Sequence, residues 1–218
     1  MKTIKHLALL AICMLATGLF TACNSDNDDP DVTVRPLTEA EQTLYKQTIN
    51  GSYSGYLVYL QEDDITGDLV EKSEPATWNV NMTNSQLTIT NFPLKALAAV
   101  TRNLDLKELL EKAEPVNLTA NVSLLQQEYE QYILQGYYRY PVTPESMKFT
   151  VDGKNITINF WASMNYRGTV YESLAICYDK TFTLPVLIRD VQVDYNYYEF
   201  NELMYLTDGY TPKTTEEK

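Results

Sequence analysis

Histidine is almost absent from this chain of 218 residues, since the sequence contains one, His6. His6 lies in an N-terminal segment with the features of a cleaved signal, so the mature protein has no imidazole. Ser-His-Asp and Cys-His catalysis need a base that works near neutral pH, and histidine is the usual one. The sequence therefore excludes these mechanisms, together with zinc, iron or copper sites built on histidine. We expect no catalytic residue, no metal and no cofactor.

Cysteine is also scarce, with three residues in the chain. Cys13 leaves with the signal and Cys23 is the expected lipid site, which leaves Cys177 without a partner for an intramolecular disulfide. The odd positions of residues 171–178, around Cys177, are Tyr, Ser, Ala and Cys. We predict a buried structural thiol there, and a reactive thiol is the alternative. Stability must then come from a buried core rather than from disulfides.

The apolar run near the N terminus is too short to cross a membrane. It covers the fourteen residues 7–20, whereas a spanning helix needs about 20. Lys2 and Lys5 precede the run, and no basic cluster follows it. Residues 1–22 are therefore predicted to be a cleaved signal peptide.

The end of this signal carries a more specific pattern. The string Phe20-Thr21-Ala22-Cys23 resembles a bacterial lipobox, in which a large apolar residue and two small ones precede the cysteine that becomes the new N terminus. Leucine is the usual residue where Phe20 stands. The resemblance implies that Cys23 carries the lipid and that the membrane is a partner through this anchor.

Residues 24–31 carry four carboxylates and no apolar side chain. Such a segment buries too little surface to offset its ordering entropy, so residues 23–35 are predicted to be a flexible tether. Its acidity resembles the surface-export signal of Bacteroidetes lipoproteins, with Asp26, Asp28 and Asp29 as the export determinants. This resemblance implies an outer-membrane lipoprotein of the cell envelope, exposed at the surface.

Basic residues are outnumbered, with 17 Lys and Arg against 29 Asp and Glu and a net charge of −12. Loss of Lys2 and Lys5 with the signal makes the mature charge −14. A chain this acidic repels nucleic acid and anionic lipid. We therefore expect no nucleic-acid partner.

Residues 36–210 are predicted to form a single β-rich domain, followed by a disordered tail at 211–218. Alternating apolar and polar residues, typical of half-buried strands, run along most of it. A tight turn at Asp152-Gly153 joins two of the strands, and Pro185 marks its strand as an edge or a bulge. The predicted strands cover residues 53–61, 77–83, 87–89, 116–124, 132–140, 147–151, 156–160, 169–178, 182–189 and 197–206.

Two helical patterns interrupt the strands. Residues 36–50 form a short N-terminal helix with a capping box of Thr38 and Glu41. A two-helix insert near 93–113 has its second helix capped by Asp105, with Glu108 three residues later. About nine antiparallel strands without βαβ alternation indicate a mainly β fold, with α+β as a possibility, arranged as a barrel or a sandwich.

Two short stretches carry weaker resemblances. The opening strand at residues 50–56, Asn-Gly-Ser-Tyr-Ser-Gly-Tyr, is similar to the start of lipocalin-like domains, where a glycine and an aromatic residue open the first barrel strand. The lipobox, the acidic tether and the turn at residues 91–94 together look like uncharacterised Bacteroidetes lipoprotein families of unknown function. These resemblances imply a barrel and bring no catalytic residues.

Tyrosine is abundant, with 17 residues. Aromatic faces stack on sugar rings, so we hypothesise a ligand-binding face with Tyr138, Tyr140 and Trp161 as candidates; the alternative is that tyrosine simply favours half-buried strands. The leading interpretation is a non-enzymatic module that binds a glycan, a small apolar ligand or an envelope protein, in an interior pocket or on that face.

Two other functions stay open. One is a polysaccharide hydrolase that uses carboxylates alone, although Glu199 and Glu202 differ in parity along their strand and are poorly placed for one site. The other is an inhibitor or assembly subunit that acts through a long exposed strand edge.

Overall fold

Eight antiparallel strands close into a barrel in the computed structural model, which describes residues 33–63 and 65–212. Each strand pairs with the next around the ring, and the pairing of residues 176–178 with residues 181–183 closes it. The prediction of a mainly β antiparallel fold is confirmed, and of its two alternatives the barrel is correct. In ring order the strands are β12 (Leu174–Tyr178), β7 (Tyr138–Pro144), β5 (Val116–Val122), β4 (Gln86–Phe92), β3 (Leu69–Asn81), β2 (Gly51–Glu62), β14 (Asn196–Thr207) and β13 (Thr181–Val193).

The other described elements are added to this barrel. Beside β13, the hairpin of β9 (Lys154–Phe160) and β8 (Met147–Val151) extends the sheet to ten strands. Two separate two-stranded sheets pair β1 (Val34–Pro36) with β6 (Gln127–Tyr129), and β10 (Ser163–Tyr166) with β11 (Thr169–Glu172). The helices are α1 (Glu39–Ile49), α2 (Leu94–Val100), α3 (Leu104–Lys112) and α4 (Glu130–Gln135).

Helix α1 covers the end of the barrel at which β2 begins. The predicted capping box is confirmed, because the Thr38 hydroxyl accepts from the Glu41 N–H while the Glu41 carboxylate accepts from the Thr38 N–H. Tyr45 and Ile49 are fully buried in the main core. The Tyr53 hydroxyl of β2 donates to the Ile49 carbonyl at 2.7 Å, which ties the helix to the first barrel strand.

The helical insert lies at the opposite end of the barrel, since it joins the paired residues Phe92 and Val116. Both predicted helices exist there, and their apolar side chains belong to the main core. The predicted cap is wrong, however: Asn103, not Asp105, accepts the Leu106 N–H at 2.9 Å. The helix begins two residues earlier than its apolar stripe suggested, and Asp105 lies within its first turn.

Two predicted strands are also corrected. The segment predicted as a strand over 132–140 contains α4, which ends at Gly136 in the left-handed conformation (φ 70°), before β7 begins. Burial of Tyr132 in this helical turn outweighs the strand propensity of its aromatic residues. The segment predicted over 169–178 is broken at Ser173 into β11 and β12, which belong to different sheets.

The predicted tight turn and the predicted irregularity at Pro185 agree with the structure. Asp152 and Gly153 have φ of 50° and 78° and form the predicted tight turn between β8 and β9. Pro185 lies in β13 between the residues that pair with β12 and those that pair with β9, so one of its sides is a local edge. A register shift between Ile188 and Asp190 follows it.

The interior of the barrel is packed with side chains. Trp78 stacks on Tyr53 with ring centroids 5.5 Å apart, and Phe182 lies 5.2 Å from both rings. Gly55 is required where β2 crosses the end of β14, because a Cβ atom there would lie 2.2 Å from the Thr207 carbonyl oxygen. This packing fills the space in which barrels of this size can hold a ligand.

The thiol of Cys177 faces this interior. It is free, as predicted, and 5% exposed. Burial raises its pKa to about 12. The prediction of a buried structural thiol is therefore confirmed.

Candidate binding site beside Arg139

A buried ion pair lies on the outer side of the barrel wall. Arg139 on β7 donates from Nε to the Oε2 atom of Glu128 at 3.1 Å and from Nη2 to Oε1 at 2.5 Å. The exposed fractions of the two side chains are 8% and 0%. Glu128 lies on β6, outside the barrel, and its Oε1 atom also accepts the Tyr129 N–H at 2.8 Å. The pair therefore links the β1–β6 sheet to the barrel.

Strand alternation places Arg139 on this outer side. Its neighbour Tyr140 points into the core, so Arg139 points out. It is covered there by the β1–β6 sheet and α4, and its guanidinium carbon lies 5.4 Å from the ring centroid of Tyr129 and 4.7 Å from that of Tyr132. These cation–π contacts and the ion pair hold the guanidinium in place.

The charge state of Arg139 follows from two opposed effects. Burial alone would lower the pKa of Arg139, because it disfavours the charged form. The hydrogen bonds and the negative charge of Glu128 outweigh burial, so the pKa of Arg139 is raised. The guanidinium is thus a permanent cation within a nearly dry contact.

A cavity of about 250 Å³ opens beside this ion pair. It has room for roughly eight water molecules at the volume each takes in the liquid. Its apolar wall is formed by Val34, Leu125 and Leu174, and its polar wall by Glu128, Arg139 and Glu172. We call it the Arg139 cavity.

Arg139 has donors to spare in this cavity. A guanidinium carries five N–H groups, of which two are used by Glu128. The Nη1 atom makes no hydrogen bond to any residue in the described ranges, and it is not sealed from solvent. The cavity therefore combines an apolar wall with a fixed, charged donor, which is the usual composition of a small-molecule site.

The carboxylates of this cavity do not form the pair that a hydrolase needs. Glu128 is buried, but both of its oxygens are already engaged by Arg139. Glu172 is exposed at the rim. Two buried carboxyls facing each other across a cleft would support the hydrolase, and here only one of the two is buried.

Glu202 is a carboxyl whose pKa is strongly altered by its surroundings. Burial raises its pKa to about 7, against the opposing charges of Arg167 and Arg102. Glu199 on the same strand is exposed. The two side chains therefore differ in environment, as their parity indicated.

The three predicted aromatic residues do not form one surface. Tyr140 is fully buried, and its hydroxyl donates to the Tyr45 carbonyl at 2.8 Å. Tyr138 is half-buried, with its ring 4.7 Å from that of Tyr45, and it lines a second cavity of about 70 Å³ at the α1 end of the barrel. The side chains of Tyr138 and Tyr140 thus both contact Tyr45.

Trp161 lies elsewhere, after the end of β9, where its N–H donates to the Leu187 carbonyl. It is 39% exposed, and its Nε1 atom donates to the Asn201 side chain at 3.2 Å. The Arg189 guanidinium lies 5.4 Å from its ring centroid. The proposed role of the three aromatic residues in binding stays a prediction.

Cys23, Asp26, Asp28 and Asp29 lie outside the described residues, as do the signal peptide and most of the tether. Among the residues that are described, no helix is long and apolar enough to cross a membrane. Within the same ranges, no three His, Cys, Asp or Glu side chains are grouped so that they could hold a metal ion.

The free edge of the ten-stranded sheet is short. Strand β8 stands at its end and has five residues, with Lys148 exposed among them. Short edges that carry a lysine are typical of sheets protected from further pairing. The inhibitor or assembly hypothesis therefore gains no long strand edge in this sheet.

Arg139 and Glu128 were missed by sequence reasoning. An arginine between two tyrosines in an alternating strand is expected to face solvent. Of the elements that bury it, β6 was not predicted, and the residues of α4 from 132 onward were predicted as part of a strand. The one available signal was Glu128, an acidic residue in a tyrosine-rich stretch that precedes Arg139 of the next strand. Such an arrangement is too common in sequences to indicate a buried ion pair.

One family model matches residues 48–193, and it is described as a domain of unknown function, DUF4840. The match covers the barrel from the end of α1 to the end of β13 and includes both partners of the buried ion pair. No curated protein and no solved structure matches the chain.

Proposed function

The chain belongs to the DUF4840 family, and from its sequence and its site we propose that it is a lipid-anchored protein of the cell envelope. It binds a small ligand in the Arg139 cavity and catalyses no reaction on that ligand. The observation that carries the binding role is the unused Nη1 edge of a buried, permanently charged arginine in a cavity with an apolar wall.

The anchoring part rests on the N-terminal sequence. A basic start, a fourteen-residue apolar run and the string ending in Cys23 occur in the order that lipoprotein processing requires. The acidic residues Asp26, Asp28 and Asp29 follow at once and support export to the surface. The mature charge of −14 keeps such a domain away from anionic headgroups, so the lipid has to supply the attachment.

The binding part rests on the energetics of Arg139. Solvent reaches the Nη1 atom, so a ligand oxygen there replaces water and accepts a charge-assisted hydrogen bond. Val34, Leu125 and Leu174 offer apolar contact to the rest of the ligand. The guanidinium is already held by Glu128 and by the tyrosine rings, so little ordering is needed on binding.

Anchoring is tested with Cys23→Ser in the native host. We expect the wild-type protein to incorporate labelled palmitate and to fractionate with membranes, and the Cys23→Ser variant to lose both properties. Ala22→Gly, which keeps a small residue before the cysteine, is the matched control and should behave as the wild type. An unmodified Cys23 in the mass spectrum of the native protein would contradict the proposal.

Binding is tested by a fragment screen on the mature full chain in detergent, followed by NMR shifts. We expect hits that shift the resonances of Arg139 and Leu174 and that disappear in Val34→Phe, whose larger ring fills the cavity. Val170→Phe, an equally exposed valine on β11, is the control and should keep the hits. A screen whose hits all survive Val34→Phe would place binding elsewhere and overturn this assignment.

A further inference from the structure

We infer that the Arg139 cavity selects the carbonyl oxygen of a neutral amide over a carboxylate or a phosphate. The inference rests on the proposed binding function and adds the chemical class of the ligand. It follows from the charges around Nη1, from the shape of the guanidinium that remains free, and from the apolar wall.

The charge of Arg139 is already matched. Glu128, whose side chain has no exposed surface, holds two of the guanidinium N–H groups at 3.1 and 2.5 Å. An anion that enters the cavity approaches a neutral pair rather than a free cation. It also meets Glu172 at the rim and the field of a strongly acidic chain. A second carboxylate therefore gains little attraction and loses its hydration.

A neutral carbonyl avoids these costs. Its oxygen accepts from Nη1 in a charge-assisted hydrogen bond, which is stronger than a bond between two neutral groups. Its desolvation on entry is smaller than that of an ion. Arg139, whose charge is already paired with Glu128, thus donates a hydrogen bond to the dipole of a carbonyl group.

The opposite wall specifies what the carbonyl is attached to. Val34, Leu125 and Leu174 are aliphatic, and a volume of about 250 Å³ holds one small branched group with its amide. The shared chemistry is a short acyl group on an amide nitrogen. Two sources supply it, an N-acetylated sugar and the main chain of a peptide, and the experiment separates them.

The test compares matched ligands on the mature full chain in detergent by NMR titration. Isovaleramide and isovalerate have the same shape and differ in charge. We expect the amide to bind at least tenfold more tightly, with shifts at Arg139 and Leu174 that vanish in Val34→Phe. N-acetylglucosamine and N-acetyl-leucine methylamide then identify the source as the one that binds more tightly.

The role of the planar guanidinium is tested with Arg139→Lys, which keeps a cation for Glu128 and loses the free edge. We expect at least tenfold weaker amide binding. Arg189→Lys is the matched control, since Arg189 also pairs with a fully buried carboxylate, that of Asp190, and it should bind as the wild type. If Arg139→Lys does not fold, as judged by near-ultraviolet circular dichroism, the Val34→Phe comparison decides.

The outcomes separate the two proposals. Isovalerate binding as tightly as isovaleramide, in a manner sensitive to Val34→Phe, overturns the ligand class and leaves the site. Amide binding that persists in both Val34→Phe and Arg139→Lys overturns the class at this cavity. A fragment screen with no hit in the cavity overturns the proposed function itself.

Discussion

Replacing Arg139 with methionine removes one partner of the buried ion pair and keeps the length of the side chain. The Glu128 carboxylate then stays at 0% exposure with no cation beside it. Removing one partner of such a pair costs about 3–5 kcal/mol, because an uncompensated charge is left in a dry site. For a chain of this size, each kcal/mol lowers Tm by about 2–4 °C, so we expect a Tm lower by about 6–20 °C at pH 7.

The second variant of this experiment separates the charge from the packing. In Arg139→Met combined with Glu128→Leu, no charge is left in the contact, and such apolar replacements are often neutral or stabilising. We expect the double variant to regain most of the lost Tm.

The assay is thermal unfolding followed by circular dichroism at pH 7, with Arg189→Met as a control. Arg189 is 38% exposed, and the Asp190 carboxylate keeps hydrogen bonds from Asn159 and Gln192 when Arg189 is replaced, so a smaller loss is expected there. A Tm that falls by less than 2 °C in Arg139→Met would refute the reasoning, because the Glu128 carboxylate would then have to be hydrated. A double variant as unstable as the single one would assign the loss to packing.

Three further predictions concern other parts of the barrel. Burial raises the pKa of Glu202 to about 7, so wild-type stability falls as pH rises from about 4.5 to 7. Glu202→Gln should be more stable than the wild type in urea by about 1–2 kcal/mol at pH 8 and as stable as the wild type near pH 4. Equal stability of the two proteins at both pH values would contradict this prediction. Gly55→Ala should destabilise the fold by about 3 kcal/mol or more, because the added Cβ clashes with the Thr207 carbonyl oxygen. Ser54→Ala is the control. A loss of stability in Gly55→Ala no larger than in Ser54→Ala would show that this prediction is wrong. Cys177, with its pKa raised to about 12, should react with a thiol reagent at pH 8 only after unfolding; rapid reaction in the native state would disprove its burial.

The strands that sequence reasoning located correctly are those whose burial follows a strict period of two. Residues 116–122 alternate between core and surface, as their apolar and polar pattern indicated. The tight turn at residues 152–153 was readable because few residue pairs adopt two positive φ values. These features are local, and so the sequence alone determines them.

The features that were not predicted depend on contacts between distant segments. The choice between barrel and sandwich rests on the pairing of the first barrel strand with the last, in which Val58 of β2 pairs with Tyr205 of β14. The helix at 130–135 follows β6, which pairs with β1 at Val34 and Tyr129, and its Tyr132 packs against Arg139. Neither contact leaves a periodic signal in the sequence, so the site at Arg139 could be found only in the folded chain.

The position of Val34 limits where a ligand can be captured. This residue is the second of the described part of the chain and forms part of the cavity wall. It follows Cys23 by eleven residues, which span at most about 40 Å when fully extended. If Cys23 carries the proposed lipid, the mouth of the cavity stays within that distance of the bilayer. The anchored domain then does not diffuse freely into the medium. Under both proposals, a ligand of the Arg139 cavity must therefore come to the membrane or already be there.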